Sequence, residues 1–218
     1  MNCVVTAGPT YEPLDTVRRL TNFSTGKLGS ELADYLADKG HRVFLLRGRG
    51  STFRNLVQTL PVVEFTTAAD LEHHLRSMSS QHVDAVFHAA AVSDFRFGKI
   101  WARQSSGALK ELDQGKISTR DGLLLAELLP TSKLIDRFRD WFPKAWLAGW
   151  KYEVDGDQAS AISWAKEQIV HTRTNVCVIN GPAYGEGYGV LTQESELLHL
   201  PDPPALFECL ERRCRSTQ

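Results

Sequence analysis

Along the chain, short unbroken apolar runs alternate with stretches in which apolar residues recur every third or fourth position. The runs at 2–7 (NCVVTA), 41–46 (HRVFLL), 61–66 (PVVEFT), 84–94 (DAVFHAAAVSD), 145–150 (AWLAGW) and 175–180 (NVCVIN) have the length of strands buried on both faces. Between the first two, residues 24–39 carry Leu28, Leu32 and Leu36, with Ala33 and Ala37 widening the stripe and Gly40 as a natural C′ residue. Thr67, with Asp70 three residues on, resembles a capping box and opens a helix through Leu71, Leu75 and Met78. Further helices are expected at 131–141 and 157–171, a hairpin at 189–200 and a last amphipathic helix at 204–213. This order predicts an α/β fold: a Rossmann-like, doubly wound, mostly parallel sheet with helices on both faces and a C-terminal hairpin, as one domain over 1–218. From 95 to about 125 the alternation breaks, with Gly98, Gly107, Gly115 and Gly122 interrupting polar sequence. So long a stretch is expected to be functional, a flap or dimerisation arm.

A formal net charge of -1 gives no support to a general nucleic-acid binder. No apolar run is long enough to cross a bilayer, and the chain enters a strand at Asn2 without a signal peptide, so a cytoplasmic protein is expected. Cys3 and Cys177 lie in apolar strands as small hydrophobes. Cys209 and Cys214, five apart on the last helix, have poor zinc spacing, and neither a disulfide framework nor a metal site is expected. The histidines show no metal-ligand spacing.

In a doubly wound sheet, ligands lie at the carboxyl ends of the strands. Small residues follow strands at Thr6–Gly8–Thr10 (TAGPT), Ala89–Asp94 (AAAVSD) and Asn180–Pro182 (NGP), where they admit either a ligand or a tightly packed helix. The turn NFSTGKLG places Ser24, Gly26 and Gly29 at a helix start, where free N–H groups and the helix dipole favour an anion. It is not a dinucleotide fingerprint. Some fifteen residues (PTYEPLDTVRRLTNF) separate it from the first strand, and the second strand ends in Arg47 and Arg49 rather than an acid. An NADP reductase would tolerate the arginines but should show Tyr-x-x-x-Lys after the fourth or fifth strand, and none is present.

Asn22, just before the turn, is a cap-region residue or a ligand contact. Lys116 (GKIS) lies in the irregular segment. Lys133 falls in the first turn after Pro130, where the dipole disfavours a cation unless a phosphate is bound. Trp150 and Lys151 end the fifth strand, as core or as a base wall with a lysine toward phosphates.

Taken together, VTAGPTYEPLDTVRRLTNFSTGKLG, AAAVSDF, LKELDQGKISTRDGLLLAELLPTSKLI, GWKYEVD and VINGP resemble the phosphopantothenoylcysteine synthetase (phosphopantothenate–cysteine ligase) family, in order and spacing, up to about Leu200. With no flavin-dependent decarboxylase domain ahead of the first strand, the likeness is to the stand-alone synthetases. It implies ligation of 4′-phosphopantothenate to L-cysteine in coenzyme A biosynthesis, with CTP or ATP and Mg²⁺, through an acyl-nucleotide. The lack of the eukaryotic N-terminal extension favours CTP. By the resemblance, Gly8, Ser24, Gly26, Gly29, Lys133, Trp150, Lys151 and Asn180 serve the nucleotide. Lys116 serves the first half-reaction, and Asn22 binds the acyl intermediate and assists its conversion by cysteine. Ala90, Ala91 and Asp94 contact the pantothenate arm across a homodimer interface. A non-catalytic homologue that binds nucleotide or pantothenate derivatives is the alternative; it predicts loss of Lys116 or Asn22, and both are present. Pro9 stands where the family usually has a second glycine, Trp150 where it has Phe, KIST where many members carry further lysines, and GPAYGEGYG is unusually rich in glycine.

Overall fold

The computed structural model describes residues 1–56, 59–113, 115–118, 120 and 122–216. In chain order the elements are β1 (Asn2–Pro9), β2 (Tyr11–Pro13), β3 (Arg19–Thr21), α1 (Lys27–Asp38), β4 (Arg42–Gly48), β5 (Val62–Phe65), α2 (Ala68–Met78) and β6 (Ala85–Ala91). There follow β7 (Phe95–Arg103), β8 (Leu109–Leu112), β9 (Leu123–Pro130), a 3-10 turn (Leu134–Arg137), α3 (Phe138–Trp141) and β10 (Trp146–Tyr152). The chain closes with α4 (Gln158–Thr172), β11 (Val176–Asn180), β12 (Tyr188–Thr192), β13 (Leu197–Leu200) and α5 (Pro203–Ser216).

The main sheet has eight strands in the order β13-β12-β11-β10-β6-β1-β4-β5, parallel from β11 to β5 and closed on one side by the antiparallel β12–β13 hairpin. This is the expected doubly wound α/β sheet. The period of two in β1 sends Cys3, Val5 and Ala7 to one face and Val4 to the other. On the first face Leu32 and Leu36 of α1 and Leu206 and Leu210 of α5 complete the core. On the second, Leu71 and Leu75 of α2 pack with Phe138 and Phe142, while Ala161, Ala165 and Ile169 of α4 cover Cys177 and Ile179. Each fully buried leucine contributes about 2 kcal/mol of transfer free energy. All four cysteines are buried free thiols.

Thr67 caps α2 as expected, accepting the Asp70 N–H at 3.1 Å while Asp70 accepts the Thr66 N–H at 2.8 Å. Three expectations need correction. The stretch from 95 to 125 is a separate three-stranded antiparallel sheet, β8-β7-β9. A register shift between Phe97 and Ile100 breaks its period of two, and of β7 only Ile100 and Ala102 are buried, so no clean alternation reaches the sequence. The helix expected at 131–141 begins only at Leu134, as a 3-10 turn. Thr131 is held back by its N–H on the Asp94 carbonyl (2.9 Å) and its hydroxyl on the Ser93 carbonyl (2.5 Å), and Pro130 keeps Leu129 extended. Helix α1 begins at Lys27 rather than Ser24, with left-handed Gly26 as its N-cap.

Candidate active site

After β5 at one edge the chain crosses back over β1 to lay down β6 on its other side, so the topology reverses between β1 and β6. At the carboxyl ends of these two strands Gly8 lies opposite Ala90, and Pro9 opposite Ala91. Such a switch point is where an open α/β sheet has a crevice.

The segment between β1 and α1, residues 10–26, contains the β2–β3 hairpin, which leaves the sheet and returns to it. Its first strand is fixed by the buried Glu12 carboxylate, which accepts the Ala68 N–H at 2.9 Å at the positive end of α2. Its second strand is fixed by the Thr21 hydroxyl donating to the Thr10 carbonyl at 2.9 Å. The return sets Asn22 over the end of β6, where its amide donates to the carbonyls of Ala91 (3.2 Å) and Val92 (3.3 Å). Asn22 and Ala91, selected separately in the sequence, therefore meet.

Gly26 (φ 77°) then turns the chain into α1 beside Gly8 (φ 81°), and Ser24 accepts the Gly26 N–H at 3.4 Å. The missing side chain of Gly29 has a packing role. A Cβ there would stand 2.8 Å from the Ala7 Cβ and 3.0 Å from the Thr6 carbonyl oxygen, so this glycine lets α1 pack closely on β1.

Lys116 is exposed, on a segment moored to the β2–β3 loop. The Thr16 N–H donates to the Gly115 carbonyl (2.9 Å), Arg18 to the Ile117 carbonyl (2.6 Å), and the Ile117 N–H to Asp15 (3.2 Å). The Asp15 side chain is 1 % exposed, and the Arg18 guanidinium beside it, with three backbone N–H groups, holds its carboxyl well below the usual carboxylate range. Lys133 is exposed at the N-cap of the 3-10 turn, so no long helix dipole opposes its charge. The exposed Asp94 follows β6 and accepts the Thr131 N–H through its main-chain carbonyl.

Farther along the same edge, the Lys151 ammonium is 3.0 Å from the Glu153 carboxylate rather than unengaged. Trp150 packs against the α1-side core, and it is Tyr152, two residues on, that faces a cleft of about 540 Å³ shared with Asn180, Gly181, Glu186, Tyr188 and Asp202. The Asn180 Oδ1 and Trp150 Nε1 are buried without a hydrogen-bond partner among the described residues, an arrangement that costs about 1–3 kcal/mol per group until something meets it. Three strand spacings, roughly 14 Å, separate β1 from β11 along this edge.

Beneath Ala90, whose N–H donates to the Thr6 hydroxyl at 3.2 Å, the same hydroxyl lies 2.8 Å from the Nδ1 of buried His88. Among the described residues no group of three His, Cys, Asp or Glu side chains could hold a metal ion.

A family model described as the DNA/pantothenate metabolism flavoprotein C-terminal domain matches residues 1–180. The chain belongs to that family. Its similarity to the coenzyme A biosynthesis bifunctional protein CoaBC of Thermococcus kodakarensis is 33% identity over 180 residues, 81% of this chain and 40% of that protein. The chain spans about two fifths of the length of the curated relatives it matches. Over its whole length it superposes on all of a DNA/pantothenate metabolism flavoprotein from Streptococcus pneumoniae with a TM-score of 0.87 at 24% identity. A Cab2 variant in complex with phosphopantothenate-cysteine shares the fold over 99% of this chain and 85% of that one, with a TM-score of 0.75 at 18% identity.

A Cβ on Gly48 would stand 2.2 Å from the Pro9 carbonyl oxygen, so this glycine makes room for the backbone at position 9; nothing in the structure explains the proline itself. Sequence reasoning did not select Asp15, Arg18, His88 or Ser51. Only Asp15 and Arg18, an acid with a base three residues on, left a visible signal.

Proposed function

We propose that the chain joins 4′-phosphopantothenate to L-cysteine, consuming CTP or ATP through an acyl-nucleotide. The contact of Asn22 with the carbonyls of Ala91 and Val92, at the switch point and beside the Gly8–Gly26 corner, carries this reading. In this reading the pantothenate arm lies along Ala90, Ala91 and Asp94. The triphosphate lies at the glycine corner, and the base lies toward Asn180 and its cleft. The substrate carboxylate attacks the α-phosphate and pyrophosphate leaves; the cysteine amine then attacks the acyl carbon and the nucleoside monophosphate leaves. Asn22 positions the acyl group, and Lys116, brought in by the moored segment, offsets charge developing on the phosphate. Mg²⁺ would arrive with the triphosphate, in keeping with its habit of binding substrate phosphates with few carboxylates; the exposed Asp94 is suited to supplement them.

In this reading the protein acts in the cytoplasm as a homodimer, for which the exposed second sheet offers a surface. No helix among the described residues is long and apolar enough to cross a membrane.

The test is pyrophosphate release with phosphopantothenate, cysteine, Mg²⁺ and either CTP or ATP. Release with neither nucleotide would overturn the ligase in favour of a binding protein. In Asn22→Asp the donor to two carbonyls becomes an acceptor. Turnover is expected to fall at least ~100-fold, the loss of about 2.7 kcal/mol of transition-state stabilisation, while acyl-nucleotide accumulates in quenched reactions. Wild-type turnover would show the role to be wrong.

A further inference from the structure

We propose that the Ser51 hydroxyl is a phosphate-binding group of the glycine corner, an inference that rests on the ligase reading for the identity of the ligand but not for its existence. Ser51 follows β4, outside every motif of the sequence, and is 5 % exposed. Its Oγ is buried and has no hydrogen-bond partner among the described residues. It lies 1.9 Å from where a Cβ on Gly8 would be and 2.6 Å from where one on Gly26 would be. The hydroxyl thus occupies the crease that the two glycines leave open, against the N-cap of the twelve-residue helix α1. The first intrahelical bond there runs from the Ser30 N–H to the Gly26 carbonyl, so the Leu28 and Gly29 N–H groups precede it and face the same end.

The placement is built rather than incidental. The Ser51 N–H donates to the Gly48 carbonyl at 2.9 Å, and the Phe53 N–H to the Thr25 carbonyl at 3.1 Å, which docks this loop on the turn before α1. Gly8 and Gly26 both adopt φ values near +80°, and either side chain would collide with Ser51. Arg47 continues the strand face of Val43 and Leu45, which packs on α1. Its nearest acid, Glu64 at 3.9 Å, is shared with Arg54, so the local balance is positive. A donor hydroxyl held without an acceptor at the positive end of a helix is destabilising by itself, and a phosphate oxygen there would satisfy hydroxyl, amides and charge together.

Two substrates of the proposed reaction carry phosphate, and the experiment separates them. Wild type and Ser51→Ala are titrated by calorimetry with inorganic tripolyphosphate and, separately, with 4′-phosphopantothenate. Loss of a hydrogen bond to an ionised group predicts about tenfold or more weakening for the anion that Ser51 meets. Weakening of tripolyphosphate assigns the nucleotide's phosphates, and weakening of phosphopantothenate alone assigns the monoester. Without ligand, Ser51→Ala should melt at the wild-type temperature or above, since it removes an unsatisfied buried group. Ser51→Cys, similar in volume but a weak donor, should bind as the alanine variant does. Unchanged affinity for both anions, no binding of either by wild type, or a destabilised apo variant would overturn the proposal. None of these readouts uses turnover, so failure of the ligase reading and failure of this one remain distinguishable.

Discussion

Burial holds the His88 ring at about 4, below its ordinary 6.5, because an imidazolium there would lose its hydration. The Thr6 hydroxyl accepts the Ala90 N–H and shares a second hydrogen bond with Nδ1 of the ring, 2.8 Å away. The pair thereby fixes the strand end from which Ala90 and Ala91 face the crevice. The unfolded chain takes up a proton near pH 6.5, but the folded one does so only near 4. This contribution to stability is therefore complete above pH 6.5 and is lost as pH falls from 6.5 toward 4, on the order of 3 kcal/mol in all. His88→Gln removes the titration. Urea melts between pH 7.5 and 4.5 should show the wild-type and variant stabilities converging as pH falls, and a pH-independent difference between them would exclude His88 as the source.

At the level of elements, the arm that carries Lys116 is joined to the β2–β3 loop through Asp15, whose carboxylate gathers the N–H groups of Val17 (2.9 Å), Arg18 (2.8 Å) and Ile117 (3.2 Å). Asp15→Asn keeps the shape but turns an N–H₂ toward one of these donors. Hydrogen exchange at the Ile117 amide should quicken at least ~10-fold, the loss of one charge-assisted bond, with the far-UV spectrum unchanged; unaltered exchange would mean that Asp15 does not moor the arm. The inner strands of the main sheet were legible because they are buried on both faces and read as unbroken apolar runs. The second sheet was not, since its residues are largely exposed and a register shift interrupts its period. Likewise β2 and β3, three residues each with Pro13 at one end, are too short for any periodicity. Within the site, the glycine turn showed in the sequence as an anion-binding helix start, but the Asn22–Ala91 contact joins residues 69 apart and was approachable only through the family resemblance. Ser51 gave no signal, because a loop serine acquires meaning only when Gly8 and Gly26 converge beside it.

The whole molecule divides its work between two sheets of opposite character. The main sheet hides both faces, whereas one face of the second remains open. Register places Leu109 and Leu123 on either side of Arg103, and Leu125 beside Trp101, two residues along on the same face. Leu109, Leu123 and Leu125 are 42–58 % exposed, whereas Leu128 and Phe95, of the opposite parity along β9, belong to the other face. A contiguous patch of this kind marks an interaction site. Strand β7 begins at Phe95, four residues after Ala91, so a second copy seated on this sheet would stand next to the proposed pantothenate side of the crevice. Replacing Leu123 and Leu125 together by Glu sets two carboxylates into that face without touching the core. Sedimentation equilibrium should then find wild type near twice the 24.4 kDa chain mass and the double variant near 24.4 kDa. Because β7 leads from this face back to the proposed substrate arm after Ala91, the variant should also lose phosphopantothenate affinity while keeping its thermal transition. A wild type that sediments as a monomer, or a double variant that remains dimeric, would remove the second sheet from the dimer and leave its exposed leucines without that role.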